Sequence, residues 1–322
     1  MPLNPGDIIN GRYEVIQELG RGGFGITYTA YDTLRSPLTV VLKQICLRTT
    51  DNSSRENYRS IITRQLEREA RVLRELNYPC IPHFFDSFEV NNCYYIVQEH
   101  IEGHDLSKEI LPGEPISELE ALVILRNILE ILQFVHNNNI IHSDIKPANI
   151  IRRHSDGQLF LIDFGSVKEI DTMYNNAPEY IATRIIRSTG YTPAEQLNGL
   201  LRKNSDIYAL GMMLMQAVTG FSIDDVLKDR TVPLRNDGGN YIWQEYAPQI
   251  SPKLKRIISK MIEYSCRDRY QTVDEVLSAI NEVSLWEEIK QGLINIFTQH
   301  QKLIKFMAFA IAACCLLILL TK

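Results

Sequence analysis

The hydrophobic pattern of this chain changes its period near residue 117, and this change constrains the fold more than any other feature. Upstream of it, runs rich in β-branched and aromatic residues lie between Gly, Pro and Asp, which is typical of short strands. These runs occupy 13–19, 26–31, 38–45 and 94–98. A helical spacing of apolar residues interrupts them at 61–76. The first hundred residues are therefore predicted to form short strands and one helix.

The rest of the chain has mainly helical spacing. Ser117 and Glu120 have the spacing of a capping box, and the apolar residues that follow repeat at helix intervals to residue 135. Further helices are predicted at 206–218, 253–264 and 273–283. The first of these is apolar nearly all round and is predicted to be buried. With a hairpin signal at Asp156-Gly157, the pattern predicts an α+β fold with a β-rich part and a helical part.

The composition is that of a globular protein. Of 322 residues, 45% are apolar and 23% are charged, a balance that excludes disordered and collagen-like classes. The net charge is −5, so no excess of positive charge indicates a nucleic-acid partner, and none is predicted. Six cysteines occur without a C-x-x-C pair, so neither a zinc cluster nor a disulfide framework is predicted, and reduced thiols are expected.

A run of fifteen apolar residues without charge occupies 306–320. As a helix it reaches about 22 Å, and extension to 303–321 gives about 28 Å, close to the ~30 Å hydrocarbon core of a bilayer. We expect a single-pass membrane anchor at 303–321 in contact with lipid, preceded by an amphipathic connector at 284–302. A buried core helix or a signal-like stretch is the alternative. Lys302 and Lys305 predict, by the positive-inside bias, that the body of the protein is cytoplasmic.

Three glycines with the spacing G-x-G-x-x-G, Gly20, Gly22 and Gly25, mark a candidate phosphate-binding loop. The motif alone is weak evidence, because dinucleotide-binding folds share it. In those folds it opens a helix, whereas here β-favouring residues follow at 26–29, which predicts a strand–loop–strand hairpin. Backbone N–H groups of such a loop can donate to phosphate oxygens, and Phe24 is expected to cap it.

A lysine and a polar segment at 142–149 are further candidate site features. Lys43 ends an apolar strand pattern, where a charge needs a partner; Glu69 is the candidate partner and Glu67 the competing choice. The segment contains Asp144, with Lys146 and Asn149, so an acid, a base and an amide lie within six residues. An Asp-Phe-Gly triplet begins at Asp163, nineteen residues after Asp144. In order and spacing these motifs resemble the signature set of the protein-kinase family, from about residue 13 to 282.

The resemblance implies a bilobal protein-kinase-like fold, with an N-lobe at 1–99 and a C-lobe at 100–283, followed by the connector and the transmembrane helix. It implies a Ser/Thr protein kinase that uses ATP and Mg²⁺ and transfers the γ-phosphate to hydroxyls of protein substrates. Such an enzyme would be tethered to a membrane with its catalytic domain in the cytosol. Lys146 favours Ser/Thr over Tyr substrates.

The resemblance also implies roles for individual residues. Asp144 accepts the proton of the attacking hydroxyl, Lys146 steadies the γ-phosphate, and Asn149 and Asp163 hold Mg²⁺. The implied ATP-binding positions are Leu19, Gly20, Gly22, Gly23, Phe24, Gly25, Thr27, Val41, Lys43, Glu69, Glu99, Ile101 and Ile151.

Within this ATP-binding set, the glycines cover the phosphates, and Lys43, held by Glu69, contacts the α- and β-phosphates. The adenine is sandwiched by the side chains of Leu19, Thr27, Val41 and Ile151. Backbone groups of Glu99 and Ile101 read the adenine edge, with Gln98 at the back of the pocket.

Other positions bear on folding and regulation. Glu195 and Arg269 match positions that pair in the family, so a buried ion pair is expected. Ser143 stands where most of the family has an Arg that anchors a phosphorylated activation loop. We therefore expect that activity does not depend strongly on phosphorylation of that loop. Val41 and Thr27 replace the usual Ala and Val beside the adenine, and both are tolerable walls.

Two other functions are open on sequence grounds. A small-molecule kinase shares the H-x-D motif, but Lys146 and the 33-residue segment from Asp163 to Glu195 argue against it. A non-catalytic scaffold that binds nucleotide is disfavoured, because every ionic catalytic position is present.

Overall fold

The computed structural model describes residues 2–22, 25–35, 38–46, 55–164, 168–169, 190–223, 236 and 238–281. Inter-residue contacts divide the chain into two units, 1–276 and 277–322. Of the second unit the structure describes 277–281, the end of one helix. All the predicted site residues belong to the first unit.

The strand-rich part of the chain forms a six-stranded antiparallel sheet and one helix. The strands are β1 (Ile8–Ile9), β2 (Tyr13–Gly22), β3 (Gly25–Asp32), β4 (Leu38–Cys46), β5 (Phe84–Val90) and β6 (Cys93–Glu99). Their order in the sheet is β1-β2-β3-β4-β6-β5, and helix α1 (Arg55–Glu75) lies between β4 and β5 in sequence. The four strands and the helix that the sequence predicts are present.

Two strands of this sheet were not predicted. Strand β1 has only two residues, too few for a visible alternation. Strand β5 contains the polar residues Asp86 and Ser87, and its register with β6 shifts between Phe84 and Asp86. The shift breaks the two-residue period on which strand prediction depends.

Burial alternates along β4 and decides which of its side chains face the candidate site. Val40 and Leu42 are fully buried in a core cluster formed by the sheet. Val41 and Lys43 lie on the opposite face, because successive side chains of a strand point to opposite sides. One face of β4 therefore builds the core, and the other carries residues predicted to bind ATP.

The described residues of the helical part include five helices. They are α2 (Glu118–Asn137), α3 (Ala194–Leu197), α4 (Lys203–Thr219), α5 (Pro252–Met261) and α6 (Val273–Asn281). The predicted capping box of α2 is present, since the Ser117 hydroxyl accepts from the Glu120 N–H and the Glu120 carboxylate accepts from the Ser117 N–H. Helix α4 is buried along nearly its whole length, as its apolar pattern predicts.

A glycine in α4 allows this helix to lie against the end of α5. A Cβ atom placed on Gly211 would lie 2.7 Å from Ile262 Cγ2 and 2.8 Å from Met261 Cβ. These distances are well below van der Waals contact, so the close packing of the two segments requires a residue without a side chain.

Short strands frame the loops of the helical part. They are β7 (Gly103–Asp105), β8 (Ile140–Ile141), β9 (Ile150–Arg153), β10 (Leu159–Leu161) and β11 (Lys168–Glu169). Strands β9 and β10 form the predicted hairpin, β7 pairs with the other edge of β9, and β8 pairs with β11. Single turns of 3-10 helix occur at Leu106–Lys108, Pro147–Asn149 and Gln244–Tyr246.

The structure corrects one expectation about the cysteines. Cys46 and Cys93, expected as reduced thiols, are joined in a disulfide. They are 47 residues apart in sequence, yet they lie opposite each other in the pairing of β4 and β6, with Cα atoms 4.1 Å apart. The spacing of cysteines could not reveal this pair, because strand pairing rather than a local motif brings the two residues together.

The predicted membrane segment falls on residues whose placement is not described. Within the described ranges, none of the helices combines the length and the apolar character needed to cross a bilayer. The predicted connector at 284–302 and the predicted span at 303–321 lie outside those ranges.

The expected ion pair between Glu195 and Arg269 is present and buried. Arg269 Nη1 lies 2.5 Å from Glu195 Oε1, and Nη2 lies 3.2 Å from Oε2. The same Oε1 accepts from the Ser205 hydroxyl at 3.0 Å. Arg269 also donates to the backbone carbonyls of Glu263 and Tyr264. The pair therefore joins α3 to the start of α4 and to the loop that follows α5.

Replacing Arg269 by Met is expected to lower the free energy of unfolding by about 3–5 kcal/mol, because it leaves the Glu195 carboxylate buried without its cation. Urea unfolding followed by circular dichroism measures the loss. Adding Glu195→Gln to that variant removes the stranded charge and is expected to restore part of the stability.

The matched control is Arg126→Met, which removes an exposed pair with Glu130 within α2. Its expected cost is below about 0.5 kcal/mol. Equal losses for Arg269→Met and Arg126→Met would contradict the stabilising role of the buried pair.

Candidate active site

Lys43, on β4, lies between two carboxylates. Its Nζ is 2.7 Å from Glu69 Oε1 and 2.8 Å from Asp163 Oδ1. Burial alone lowers the pKa of the Lys43 ammonium, but the Asp163 and Glu69 carboxylates outweigh burial and raise the pKa above its ordinary value. Lys43 is therefore charged at neutral pH. Helix α1 supplies Glu69 to this contact, while the alternative candidate, Glu67, is exposed.

Strands β2 and β3 form the strand–loop–strand hairpin that the glycine motif predicts, and their register ends at the pair Gly22 and Gly25. Gly25 is required by packing, because an added Cβ would lie 2.0 Å from the Gln44 carbonyl oxygen of β4. A Cβ added at Gly20 would have no atom within 4 Å, so packing does not require a glycine at that position. The two residues at the tip, 23 and 24, lie outside the described residues. The hairpin thus lies directly on the strand that carries Lys43.

Predicted adenine-facing residues share a sheet face with Lys43. In the strand register Thr27 lies opposite Lys43, and Gln98 lies opposite Val41. Leu19 occupies a bulge of β2, where the register with β3 shifts, and its side chain is 47% exposed. A bulge re-aims a side chain, so Leu19 can leave the sheet plane beside the glycine loop.

The connector between the strand-rich and helical parts follows β6. The Glu99 N–H donates to the His83 carbonyl at 2.8 Å, and Ile101 is buried. At Gly103 an added Cβ would lie 2.2 Å from the Arg152 carbonyl, so a glycine is required where β7 meets β9. This approach brings the connector beside β9, the strand that contains Ile151.

Asp144 accepts two side-chain hydrogen bonds within its own loop. Lys146 Nζ lies 2.8 Å from Asp144 Oδ2, and Asn149 Nδ2 lies 3.0 Å from the same oxygen. Asn149 Nδ2 also donates to the Asp144 carbonyl at 2.8 Å. Because Nδ2 makes these contacts, Oδ1 is the Asn149 atom suited to a cation.

His142 connects Asp144 to the segment of Asp163. Its Nδ1 accepts from the Asp144 N–H at 3.3 Å, and its Nε2 lies 3.1 Å from the Ile162 carbonyl. A carbonyl oxygen only accepts, so Nε2 carries the proton and a neutral imidazole satisfies both contacts. The ring packs edge-on against Phe164. Asp163 itself has φ +62°, a conformation uncommon outside glycine.

The sequence reasoning assigned no role to Asp206, yet this residue of α4 holds the backbone of residues 142–149, the catalytic loop that carries Asp144. Its Oδ2 accepts from the His142 N–H at 2.9 Å, and its Oδ1 accepts from the Ser143 N–H at 2.7 Å. His136 Nε2 lies 2.8 Å from the same Oδ2. A buried carboxylate requires such partners, so an Asp inside an apolar helix was the signal that could have identified it.

Asn149 and Asp163 suit Mg²⁺ by the chemistry of their oxygens. Mg²⁺ is usually held by one or two carboxylates together with substrate phosphates. Asp163 offers a carboxylate that is 40% exposed, and Asn149 offers an amide oxygen. Among the residues described here, no group of three or more His, Cys, Asp and Glu side chains is arranged to hold a metal. These two residues therefore fit a Mg²⁺ ion shared with nucleotide phosphates.

Comparison with known proteins agrees with this geometry. The family model of the protein kinase domain matches residues 13–280. Serine/threonine-protein kinase PknA of Nostoc sp. is 37% identical over 277 residues, covering 85% of this chain and 47% of that protein. Serine/threonine-protein kinase B of Synechocystis sp. is 34% identical over 294 residues, covering 89% of this chain and 49% of that protein. This chain spans about half the length of these two relatives.

With a shorter relative, the match covers similar shares of both chains. The probable serine/threonine-protein kinase YbdM of Bacillus subtilis is 32% identical over 215 residues, covering 66% of this chain and 72% of that protein. The region matched by the family model includes every predicted site residue. The chain therefore belongs to the protein kinase family, among relatives named as serine/threonine-protein kinases.

Proposed function

We propose that this chain is an ATP-dependent kinase that transfers the γ-phosphate to Ser and Thr hydroxyls of protein substrates. The observation that carries the proposal is the position of Lys43 Nζ, which lies 2.8 Å from Asp163 while Glu69 holds it from the other side. In phosphoryl transfer, a lysine that binds the phosphates and a carboxylate that binds the metal ion must face the same nucleotide. Lys43 and Asp163 are close enough to do so.

In this proposal Asp144 is the general base. Lys146 and Asn149 both donate to its Oδ2 and so fix the orientation of the carboxylate before substrate arrives. General acid–base catalysis contributes about 10²–10⁴-fold to a rate when the group is well placed. Lys146 brings a positive charge to the same point, where it steadies the γ-phosphate as the hydroxyl approaches.

Asn149 and Asp163 would hold Mg²⁺, which neutralises phosphate charge when it is bound. Lys43 binds the α- and β-phosphates from the sheet side, and the Gly20, Gly22 and Gly25 backbone covers them. Phosphoryl transfer needs little covalent help from a protein, so this positioning and charge compensation supply most of the acceleration.

The adenine of ATP is proposed to lie between the two parts of the fold. Leu19, Thr27 and Val41 form its wall on the sheet side, and Ile151 of β9 forms the wall on the opposite side. Because the Glu99 N–H is engaged with His83, the Glu99 carbonyl is the backbone group that reads the adenine edge, together with a backbone group of Ile101.

Replacing Asp144 by Asn is expected to lower kcat for phosphorylation of a casein-like protein by about 10²–10⁴-fold, because the amide cannot accept the hydroxyl proton. The affinity for ATP, measured by titration with a fluorescent nucleotide, is expected to stay within twofold. Radiolabel transfer to amino alcohols or sugars, instead of to protein, would identify a small-molecule kinase.

The matched control is Asp156→Asn, which alters a carboxylate in the β9–β10 turn that pairs with Arg153. It is expected to leave kcat unchanged. If Asp144→Asn also left kcat unchanged, Asp144 would not be the general base. A wild-type chain that bound ATP but transferred no phosphate would be a nucleotide-binding scaffold rather than a catalyst.

We further propose that residues 303–321 anchor the protein in a membrane, with the catalytic part at 1–283 in the cytosol and 284–302 as connector. The support is the run of fifteen uncharged apolar residues at 306–320 and the two lysines that precede it, Lys302 and Lys305. These domain limits, including the division between lobes at 99 and 100, are part of the same proposal.

Deleting 303–321 is expected to move the protein from the membrane pellet to the soluble fraction without loss of kinase activity, because the deleted residues contribute no site group. Fractionation followed by a phosphotransfer assay measures both. If carbonate or salt washing releases the intact chain, the segment is a peripheral helix and the proposed span is wrong.

A further inference from the structure

The peptide group that joins Ser143 to Asp144 lies directly before the proposed base. Ser143 has φ +65°, a left-handed backbone conformation that residues other than glycine rarely adopt. Such a conformation persists only where surrounding contacts hold it, and it often occurs at functional sites. The contacts of this peptide group therefore decide how the Asp144 side chain leaves the backbone.

Three hydrogen bonds hold the backbone at this point. The Ser143 N–H donates to Asp206 Oδ1 at 2.7 Å, and the Asp144 N–H donates to His142 Nδ1 at 3.3 Å. The third bond reaches the other end of the peptide group, where Gln196 Nε2 donates to the Ser143 carbonyl at 2.7 Å. Since a carbonyl oxygen only accepts, the Gln196 atom at this distance has to be its nitrogen.

Gln196 is itself on a fixed element. It belongs to α3, and its neighbour Glu195 forms the buried ion pair with Arg269. The backbone N–H of Gln196 donates to the Pro193 carbonyl at 3.1 Å. Its side chain thus reaches from α3, which the ion pair anchors, to the backbone of the catalytic loop.

We propose that Gln196 is a positioning residue for phosphoryl transfer: its amide orients the Ser143–Asp144 peptide group and, through it, the Asp144 carboxylate. The inference rests on the proposed kinase function. Ser143 has no guanidinium with which to bind a phosphorylated loop, whereas the bond from Gln196 is neutral and forms without a phosphate. This neutral link supplies a physical reason for activity that does not depend strongly on loop phosphorylation.

The decisive variant is Gln196→Glu, which keeps the size of the side chain but places an acceptor against the Ser143 carbonyl. We expect kcat to fall about tenfold or more, because small misplacements of a reacting group cost up to about 10²-fold in rate. The KM for ATP is expected to stay within twofold, since the Gln196 side chain donates to the Ser143 carbonyl, and Ser143 is not one of the proposed nucleotide-binding residues. Gln196→Lys retains a donor and is expected to stay within threefold of the wild-type kcat.

A second glutamine in the chain provides a matched control. Gln249 Nε2 donates to the Val218 carbonyl at 2.7 Å, the same kind of bond at the same distance, but to the end of α4. Gln249→Glu is expected to lower the melting temperature about as much as Gln196→Glu, while leaving kcat unchanged. A loss of kcat in both variants would show a general effect on folding and would overturn the inference.

Hydrogen exchange gives a readout that does not need activity. With the full chain, deuterium uptake at 143–149 is expected to be faster in Gln196→Glu than in the wild type or in Gln249→Glu. Unchanged uptake would overturn the positioning role, and so would a kcat for Gln196→Glu within twofold of the wild type, or a Gln196→Lys variant as impaired as Gln196→Glu. A wild-type protein without phosphotransfer activity would refute the proposed function alone, and the exchange comparison would then decide the role of Gln196 in the loop.

Discussion

The charge of Lys43 is the constraint on which the arrangement of the site depends. An ammonium withdrawn from water is unstable unless carboxylates compensate it, and here Glu69 and Asp163 both do so. These residues are 26 and 120 positions away in sequence, on α1 and in the segment after β10. The Lys43 ammonium therefore links the sheet to helix α1 and to the Asp163 segment through two ion pairs. Displacing any one of the three would separate opposite charges where water is largely excluded.

The catalytic loop is held in a different way, because side chains of α3 and α4 form hydrogen bonds with its backbone. Asp206 accepts the N–H groups of His142 and Ser143, and Gln196 donates to the Ser143 carbonyl. These contacts come from α4 and α3, whose positions depend in turn on helix packing and on a buried ion pair. Because α3 and α4 hold the backbone, Lys146 and Asn149 can orient the Asp144 carboxylate from within the same loop. A rigid backbone that supports oriented side chains is what positioning catalysis requires.

Local pattern was sufficient for much of this structure. The β-branched run in β4, the capping box before α2 and the apolar length of α4 each express a rule that acts over a few residues, and each element is present. Local pattern could not decide which glutamate pairs with Lys43, since periodicity placed both Glu69 and Glu67 on the same helix. Only the packing of α1 against the sheet decides which of them is buried.

The features that sequence reasoning missed depend on contacts between distant segments. Cys46 and Cys93 meet only because β4 pairs with β6, so the disulfide follows from the register and not from cysteine spacing. Strand β7 has three residues, and it exists because Gly103 lets the connector approach the backbone of β9. Gln196 belongs to no recognised motif, and its relation to Ser143 is visible only when α3 and the loop are seen together.

A buried polar chain in the sheet explains why Lys43, rather than its neighbour, faces the site. Gln44 Nε2 donates to the Tyr95 hydroxyl at 2.9 Å, and the Tyr28 hydroxyl lies 3.4 Å from Gln44 Oε1. A slip of β4 by one residue would exchange its two faces, turning Gln44 out of this network and burying Lys43 among aromatic rings. Both changes are unfavourable. Turning Gln44 outward removes a buried hydrogen-bond partner of the tyrosine hydroxyls, and turning Lys43 inward buries an unpaired charge. The polar residue in the core therefore fixes the register that places the lysine between its carboxylates.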